Sequence, residues 1–119
     1  MSVAASDVEA FVMSLPETTK GEHGHRPGFR VRKSLLVVIE NEGDVALLCV
    51  EPDERNALLT EAPNAFKEIR NKSGKLGQSW ITVDLAKADA ALVYEVIEET
   101  WRRLAPKRAI EALDRLRSG

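Results

Sequence analysis

The sequence is poor in the features that mark secreted, membrane-spanning and thiolate-bound metalloproteins. Cys49 is its single cysteine, which excludes an internal disulfide and every zinc site that needs two thiolates. Its apolar runs, such as residues 35–39, are far shorter than the roughly 20 residues that cross a bilayer. Residues 1–10 carry no basic and then apolar leader. We therefore expect a cytoplasmic protein that does not bind membranes.

Motifs of the common enzyme classes are also missing from the sequence. Gly74-Lys75 lacks the preceding glycine and the following Ser or Thr of a phosphate-binding P-loop, and Gly21, Gly24 and Gly28 do not have the spacing of a dinucleotide fingerprint. The sequence contains no nucleophile elbow and no HExxH motif. We therefore expect a non-enzymatic binding protein with no catalytic residues, no cofactor and no metal ligands.

The composition is typical of one globular domain. Of the 119 residues, 44% are hydrophobic and 30% are charged, which is unlike the composition of disordered chains. Domains usually contain about 100 to 150 residues. We therefore predict a single domain over residues 1–119.

One helical segment opens the chain and a polar segment follows it. Apolar residues at helical intervals predict a helix over residues 6–14, with Ser6 and Glu9 at the spacing of a capping box. Pro16 cannot continue that helix. The polar stretch 17–28 is then either an edge strand or a loop.

Extended segments follow the polar stretch. Residues 29–31 alternate apolar and basic side chains, and a short turn near residues 33–34 leads into the apolar run 35–39. The turn 41–44 separates this run from a second one at 45–50, which predicts adjacent antiparallel strands. Because both runs are apolar at successive positions, we expect helices to cover both faces of the sheet at least in part.

The second half of the chain is mainly helical. Pro52 and the acidic residues after it predict a helix over residues 53–61. A weak strand at 65–70 and a mobile loop are expected next. Alternating side chains then predict a half-buried strand at 79–85, and an apolar stripe predicts a long helix at 89–104.

The last segment completes the order of elements. Pro106 starts a final helix that carries Ile110, Leu113 and Leu116 on its apolar stripe. Helix, consecutive strands, helix, strand and two helices are typical of an α+β domain, with an antiparallel sheet covered by helices. A parallel doubly wound sheet is the alternative.

Five segments carry a resemblance to a known family. They are residues 11–16 (FVMSLP), 28–33 (GFRVRK), 51–55 (EPDER), 80–85 (WITVDL) and 101–108 (WRRLAPKR). In this order and spacing they resemble the MmcQ/YjbR family, also labelled DUF419, and the last segment is most similar to its actinobacterial branch. The resemblance implies a CyaY-like α+β fold, shared in outline with frataxins, and the DNA-binding label that the family name carries. One departure alters any site carried over there, because Gln78-Ser79-Trp80 stands where many relatives have Asn-Lys-x-His-Trp.

Positive charge is concentrated in three segments of the sequence. Residues 20–33, 66–80 and 101–119 carry net charges of +4, +3 and +4, whereas the whole chain carries −2 and the remainder therefore −13. If the three segments meet in space, they form a patch that can hold phosphates, because phosphate contacts dominate nucleic-acid affinity. The alternative is an ordinary solvated surface, since charge runs in sequence often disperse in space.

The basic segments supply the candidate site. The candidate nucleic-acid contacts are Arg30, Arg32, Lys33, Lys72, Lys75, Arg102, Arg103, Lys107 and Arg108. Arg30 and Arg32 are two residues apart on a predicted strand, so that they share one face and form a paired phosphate grip. The loop 71–78 is either a wing that follows a nucleic-acid backbone or a plain connection. DNA is the leading partner, and a protein-interaction or small-anion module is the alternative.

The aromatic and imidazole side chains have two interpretations each. Trp80 and Trp101 are able to stack on bases, but we expect both to pack in the core. His23 and His25 would share a strand face and begin a metal site, but no third ligand lies nearby in sequence, so we expect them to be exposed and metal-free. Cys49 lies in an apolar run and is expected to be a buried, inert thiol.

Overall fold

A computed structural model of the chain describes residues 2–40, 43–69 and 79–119. Its helices are α1 (Ala5–Ser14), α2 (Pro52–Glu61), α3 (Ala90–Leu104) and α4 (Lys107–Ser118), and its strands are β1 (Thr18–His23), β2 (Arg26–Val31), β3 (Ser34–Glu40), β4 (Val45–Cys49), β5 (Phe66–Glu68) and β6 (Trp80–Asp84). The strands form one sheet in the order β1-β2-β3-β4-β6-β5, and every neighbouring pair is antiparallel. The predicted α+β class with an antiparallel sheet is confirmed, and the parallel alternative is wrong.

The polar stretch after α1 forms an edge strand and a tight turn. Gly24 and His25 make up the two-residue connection between β1 and β2, with φ angles of +56° and +69°. Left-handed backbone at both positions is what a tight hairpin turn requires. Strand β2 therefore begins at Arg26, three residues before the predicted start.

The start of α1 differs from the predicted capping box. Ala4 is the N-cap, and the Asp7 carboxylate accepts a 3.4 Å hydrogen bond from its backbone N–H. Ser6 lies inside the helix, and the Glu9 carboxylate accepts instead from Lys20 Nζ on β1. The predicted Ser6–Glu9 box is therefore wrong, because the helix begins one residue earlier than predicted and Asp7 takes the N3 position.

All four helices contribute to one hydrophobic core on one face of the sheet. The largest fully buried side chains in this core include Trp101 from α3, Phe29 from β2 and Phe66 from β5. The Trp101 indole is fully buried, and its Nε1–H donates a 3.2 Å hydrogen bond to the Pro16 carbonyl. The prediction that Trp101 packs in the core is confirmed. The bond ties α3 to the turn between α1 and β1.

The second face of the sheet has no helix on it within the described part of the chain. Its central row runs across all six strands as Gly21, Gly28, Val38, Leu47, Thr82 and Lys67. Val38 is buried but does not belong to the core cluster that the helices share. The side of the sheet that carries this row is called the open face below. The expectation that helices cover both faces is therefore wrong.

A β-bulge explains why the apolar run of β3 does not require helices on both faces of the sheet. Phe29 pairs with Val37 and Arg30 pairs with Leu35, so that Leu36 is an extra residue in β3. The extra residue lets Leu36 and Val37 both reach the core, because a bulge breaks the alternation of side chains along a strand. Leu35 and Val38 consequently point to the open face.

Helices α3 and α4 form an antiparallel pair that is joined by ion pairs. Glu98 of α3 accepts bidentate hydrogen bonds from Arg117 of α4 at 2.8 and 2.6 Å, and a 2.9 Å bond from Arg102. Arg102 also donates to Asp114 of α4 at 2.9 Å. Helix α4 buries Ala109 and Leu113.

The last turn of α4 does not match the predicted apolar stripe. Leu116 is 72% exposed, although it is spaced from Leu113 like a core residue. Helical spacing sets which way a side chain points, whereas burial needs a neighbouring element opposite it. Leu116 is therefore a surface residue, and the prediction that it joins the stripe is wrong.

Replacing Trp101 tests the link between α3 and Pro16. We expect Trp101→Phe to lower the free energy of unfolding by about 2 kcal/mol, because it removes buried volume and leaves the Pro16 carbonyl without its donor. Trp80→Phe on the open face is the matched control and is expected to cost about 0.5 kcal/mol or less. Urea unfolding followed by circular dichroism measures both values, and equal losses would contradict the asymmetry between the two tryptophans.

Two glutamates should affect stability with opposite pH dependence. Hydrogen bonds from Arg117 and Arg102 lower the pKa of Glu98, so its contribution is present above the ordinary carboxyl pKa and is lost as the pH falls through the lowered value. Burial, and then the charge of Glu99, raises the pKa of Glu54. Folding then favours the protonated form of Glu54. The stability that this form contributes is lost as the pH rises through the raised pKa.

Because the two pKa shifts are opposite, replacing Glu98 and replacing Glu54 should change stability in opposite directions at neutral pH. At pH 7, Glu98→Gln should cost about 1 kcal/mol and Glu54→Gln should stabilise by about 0.5 kcal/mol. Both differences should disappear in acid, where the wild-type carboxyls are protonated. Urea midpoints between pH 3 and 7 measure them, and differences that do not change with pH would contradict the assigned causes.

Candidate functional site

The open face carries a groove across the centre of the sheet. The groove has a volume of about 440 Å³. Its apolar lining is Leu35, Val38, Leu47, Ile69 and Trp80, and its polar lining is His23, Arg26, Glu40 and Thr82. Apolar surface with a few polar groups placed around it is the usual composition of a ligand site. The groove is therefore a candidate ligand site on the described part of the chain.

One end of the open face brings a tryptophan and an arginine to the same side of the sheet. Arg30 lies two residues from Gly28 along β2, and Trp80 lies two residues from Thr82 along β6, both in the same direction from the central row. Side chains two residues apart on a strand point to the same face. Three strand spacings separate β2 from β6, which is about 14 Å between the two backbones.

The Arg30 guanidinium lies across two glycines. A Cβ atom placed on Gly28 would be 3.6 Å from Arg30 Nη1 and 3.1 Å from His23 Cβ, and one on Gly21 would be 3.9 Å from the same Nη1. The missing side chains at these paired positions therefore leave room for the guanidinium against the sheet. Arg30 Nη2 is 3.4 Å from His23 Nδ1. No carboxylate among the described residues forms an ion pair with Arg30.

The opposite end of the groove is electrically balanced. Arg26 at the start of β2 forms an ion pair with Glu40 at the end of β3. Both side chains line the groove. The positive charge of Arg26 is therefore offset by its partner. Arg30 does not line the groove, but its guanidinium lies beside it, next to His23.

Trp80 does not pack in the core as predicted. It is half-buried and lines the groove, opposite Cys49 on the neighbouring strand. The reason is its position in β6, where Ile81 and Val83 point into the core and Trp80 and Thr82 point to the open face. Part of the Trp80 side chain is therefore exposed to a ligand in the groove.

The predicted pairing of Arg30 with Arg32 on one strand face is wrong. Strand β2 ends at Val31, and Arg32 lies in the two-residue turn with a φ angle of +56°. This left-handed conformation interrupts the alternation of side chains. Lys33 completes the turn, and both side chains are exposed. Arg32 instead lies near Glu17, whose pKa is lowered mainly by hydrogen bonds from Arg108 and to a lesser extent by the charge of Arg32.

The other candidate arginines already have carboxylate partners. Arg102 pairs with Glu98 and Asp114. Arg103 pairs with Glu51 at 3.1 Å. These contacts neutralise much of the positive charge that the sequence places in residues 101–119.

Two further candidates on α4 are paired as well. Lys107 Nζ lies 3.9 Å from a Glu111 oxygen. Arg108 donates bidentate hydrogen bonds to Glu17 at 2.8 and 2.7 Å, which is the main cause of the lowered pKa of Glu17. Arg108 of segment 101–119 and Arg32 of segment 20–33 therefore both act on the Glu17 carboxylate. Lys72 and Lys75, and the loop 71–78 with them, lie outside the described residues.

Apart from Arg32 and Arg108 near Glu17, the described candidates of the basic segments lie on different sides of the sheet. Helices α3 and α4 pack on the core face, whereas Arg30 lies on the open face. Lys67 and Arg26 belong to the basic segments of the sequence but were not among the predicted site residues, and Gly21 and Gly28 were not linked to the site. Lys67 is exposed and ends the central row of the open face beside Thr82. The sequence did hold a signal for this. If Phe66, Ile81 and Val83 are taken as core residues, their neighbours Lys67 and Trp80 must point to the opposite face of the sheet.

The remaining candidate groups have ordinary surroundings. Cys49 is half-buried rather than fully buried, and burial raises the pKa of its thiol. His25 lies in the β1–β2 turn and does not share a strand face with His23. Within the described ranges, no group of three or more His, Cys, Asp or Glu side chains is arranged to hold a metal ion. None of the helices described is long and apolar enough to cross a membrane.

Comparisons with known proteins identify the family of the chain. Its fold matches the crystal structure of Deinococcus radiodurans protein DR2400, a DUF419 protein, with a TM-score of 0.70 and 15% sequence identity over 92% of this chain and 86% of that one. No curated protein sequence matches the chain. The YjbR family model matches residues 13–103, from the end of α1 to the end of α3. The chain therefore belongs to the YjbR family.

Proposed function

We propose that this protein is a non-enzymatic, cytoplasmic module that binds single-stranded nucleic acid on the open face of its sheet. The observation that carries the proposal is the half-buried Trp80 in a groove that also lies beside an arginine without a described carboxylate partner. In this proposal a base stacks on Trp80, and the Arg30 guanidinium contacts a phosphate. Lys67 is the second phosphate contact.

The spacing of Arg30, Trp80 and Lys67 fits a short stretch of single-stranded nucleic acid in an extended conformation. Lys67 is on β5 next to β6, and Arg30 is on β2, so cations lie on both sides of Trp80 across the sheet. An open antiparallel sheet with exposed aromatic side chains is a common platform for single strands and stacks two or three bases. The apolar groove floor of Leu35, Val38 and Leu47 gives further base contact area.

Charge favours a single strand over a duplex as the ligand. The chain carries a net charge of −2, and Arg102, Arg103 and Arg108 are engaged by carboxylates. A duplex binder relies on many phosphate contacts, whereas stacking contributes about 1–3 kcal/mol per base without added charge. The open face supplies stacking and few phosphate contacts.

A peptide ligand is the second candidate. The Arg26–Glu40 ion pair and the apolar floor of the groove support it, because an apolar side chain would fill the floor while its backbone or a carboxylate meets the polar rim. This candidate needs no base stacking, so Trp80 would contribute as apolar surface only.

Fluorescence anisotropy with labelled single- and double-stranded DNA tests the nucleic-acid proposal. We expect the wild-type protein to bind the single strand more tightly than the duplex at about 50 mM salt, and more weakly at about 200 mM. With two phosphate contacts, the slope of log K against log salt should be about −1.4. Absence of binding at the lower salt by a folded protein would overturn the proposal and leave the peptide candidate.

Substitutions on the open face locate the site. Trp80→Ala should weaken single-strand binding by about 5- to 150-fold, which corresponds to the loss of one stacked base. Arg30→Glu should weaken binding and also flatten the salt dependence. Arg115→Glu is the matched charge control, because Arg115 is exposed on the last turn of α4. Equal losses in the Arg30 and Arg115 variants would remove the open face from the site.

A further inference from the structure

The sheet has one long uncovered edge. Strand β1 contains six residues, and the five after Thr18 are all exposed. It pairs with β2 on one side, and no other strand of the described chain pairs with its outer side. A free edge of this length presents unpaired N–H and C=O groups that another strand is able to bind. The opposite edge strand, β5, has three residues.

The turn after β1 determines which backbone groups point outward. In a two-residue hairpin the residues that flank the turn, here His23 and Arg26, exchange both backbone hydrogen bonds. The bonding pattern alternates along the strand, so the N–H and C=O groups of Thr18, Lys20 and Glu22 point away from β2. The Thr18 N–H already donates to the Leu15 carbonyl at 3.3 Å. Lys20 and Glu22 therefore carry the free edge.

The charges on these two residues favour one register for pairing with an identical strand. Two antiparallel copies of β1 can hydrogen-bond through the outward groups in three registers, with the two-fold axis at Lys20, Gly21 or Glu22. The first and last place like charges directly opposite each other, which is destabilising. Centring the pair on Gly21 places Lys20 opposite Glu22 of the other copy, and the symmetry repeats that pair. The edge is thus complementary to itself in one register.

We propose that β1 pairs with β1 of a second copy of this chain, with the two-fold axis at Gly21. This isologous contact uses the same surface on both subunits and closes on itself. The Lys20 ammonium lies 2.5 Å from a Glu9 oxygen, and in the dimer it lies between Glu9 and Glu22 of the other copy. The two sheets join into one, with both open faces on the same side. The dimer does not rest on the proposed function, and it would place two grooves side by side.

The size of the contact sets its strength. A strand edge of six residues buries less than the roughly 800 Å² per partner of a standard interface. We therefore expect dissociation in the micromolar to millimolar range, and a monomer in dilute solution. Sedimentation equilibrium over that concentration range measures it, and a wild-type protein that stays monomeric throughout would overturn the proposal.

Charge reversal tests the register. Lys20→Glu and Glu22→Lys should each weaken self-association by about tenfold, because each places two like-charged pairs across the axis. An equimolar mixture of the two variants should associate as the wild type does, because each chain then meets the opposite charge. Glu61→Lys, an exposed reversal on α2, is the matched control. A mixture that associates no better than either variant alone would overturn the register.

A proline tests the backbone contact independently of charge. Glu22→Pro removes an outward N–H but none of the bonds to β2, so that the fold should persist, as proline on edge strands does. Circular dichroism and urea unfolding check the fold of the variant. We expect it to be monomeric at concentrations where the wild type dimerises. A dimer that this variant leaves unchanged would overturn pairing through β1.

Discussion

The fold depends on the packing of α3 against one face of the sheet around Trp101. The indole ring is fully buried among residues from the helices and the strands, and its N–H is hydrogen-bonded to the Pro16 carbonyl. A buried ring of this size, with its polar atom paired, fixes both the depth and the rotation of the helix. The position of α4 follows, because Glu98 and Arg102 on α3 bind Arg117 and Asp114.

One-sided packing has a direct consequence for binding. All four helices contribute to the core on one face, so the other face keeps its strand side chains available. The arginines on the helical side form ion pairs that connect helices and turns, such as the Arg108–Glu17 pair. Arg30, which lies over Gly21 and Gly28, forms no such ion pair with a described residue. The contacts that stabilise the fold therefore lie mainly on one face of the sheet, and the groups of the proposed binding site lie on the other.

The edge strand and the open face form one continuous surface. β1 supplies Gly21 and His23 to the open face and Lys20 and Glu22 to the free edge. Pairing through that edge would extend the sheet without covering either groove, because strand addition occurs in the plane of the sheet. The proposed dimer is therefore compatible with the proposed ligand binding.

Local patterns in the sequence were enough to predict the elements with the clearest periodicity. Helix α3, helix α2 and strand β6 were each predicted to within one residue at both ends. Asp89 caps α3 by accepting a hydrogen bond from the Leu92 N–H. The capping box predicted at Ser6 is wrong because the helix begins at Ala5, which puts Asp7 rather than Glu9 at the N3 position. Arg32 failed because a left-handed turn residue leaves no sign in the alternation of its neighbours.

The sequence by itself determined the fold class, the element order and the burial of Trp101, because these follow from periodicity and from the cost of exposing apolar side chains. Only the tertiary structure decided which face of the sheet the helices cover and which cations keep their charge available. A bulge at Leu36 moved one side chain from the open face to the core, and carboxylates distant in sequence reached the arginines of α3 and α4. The bulge is a shift of register between two neighbouring strands, and the ion pairs join segments far apart along the chain; the local hydrophobic pattern records neither of them.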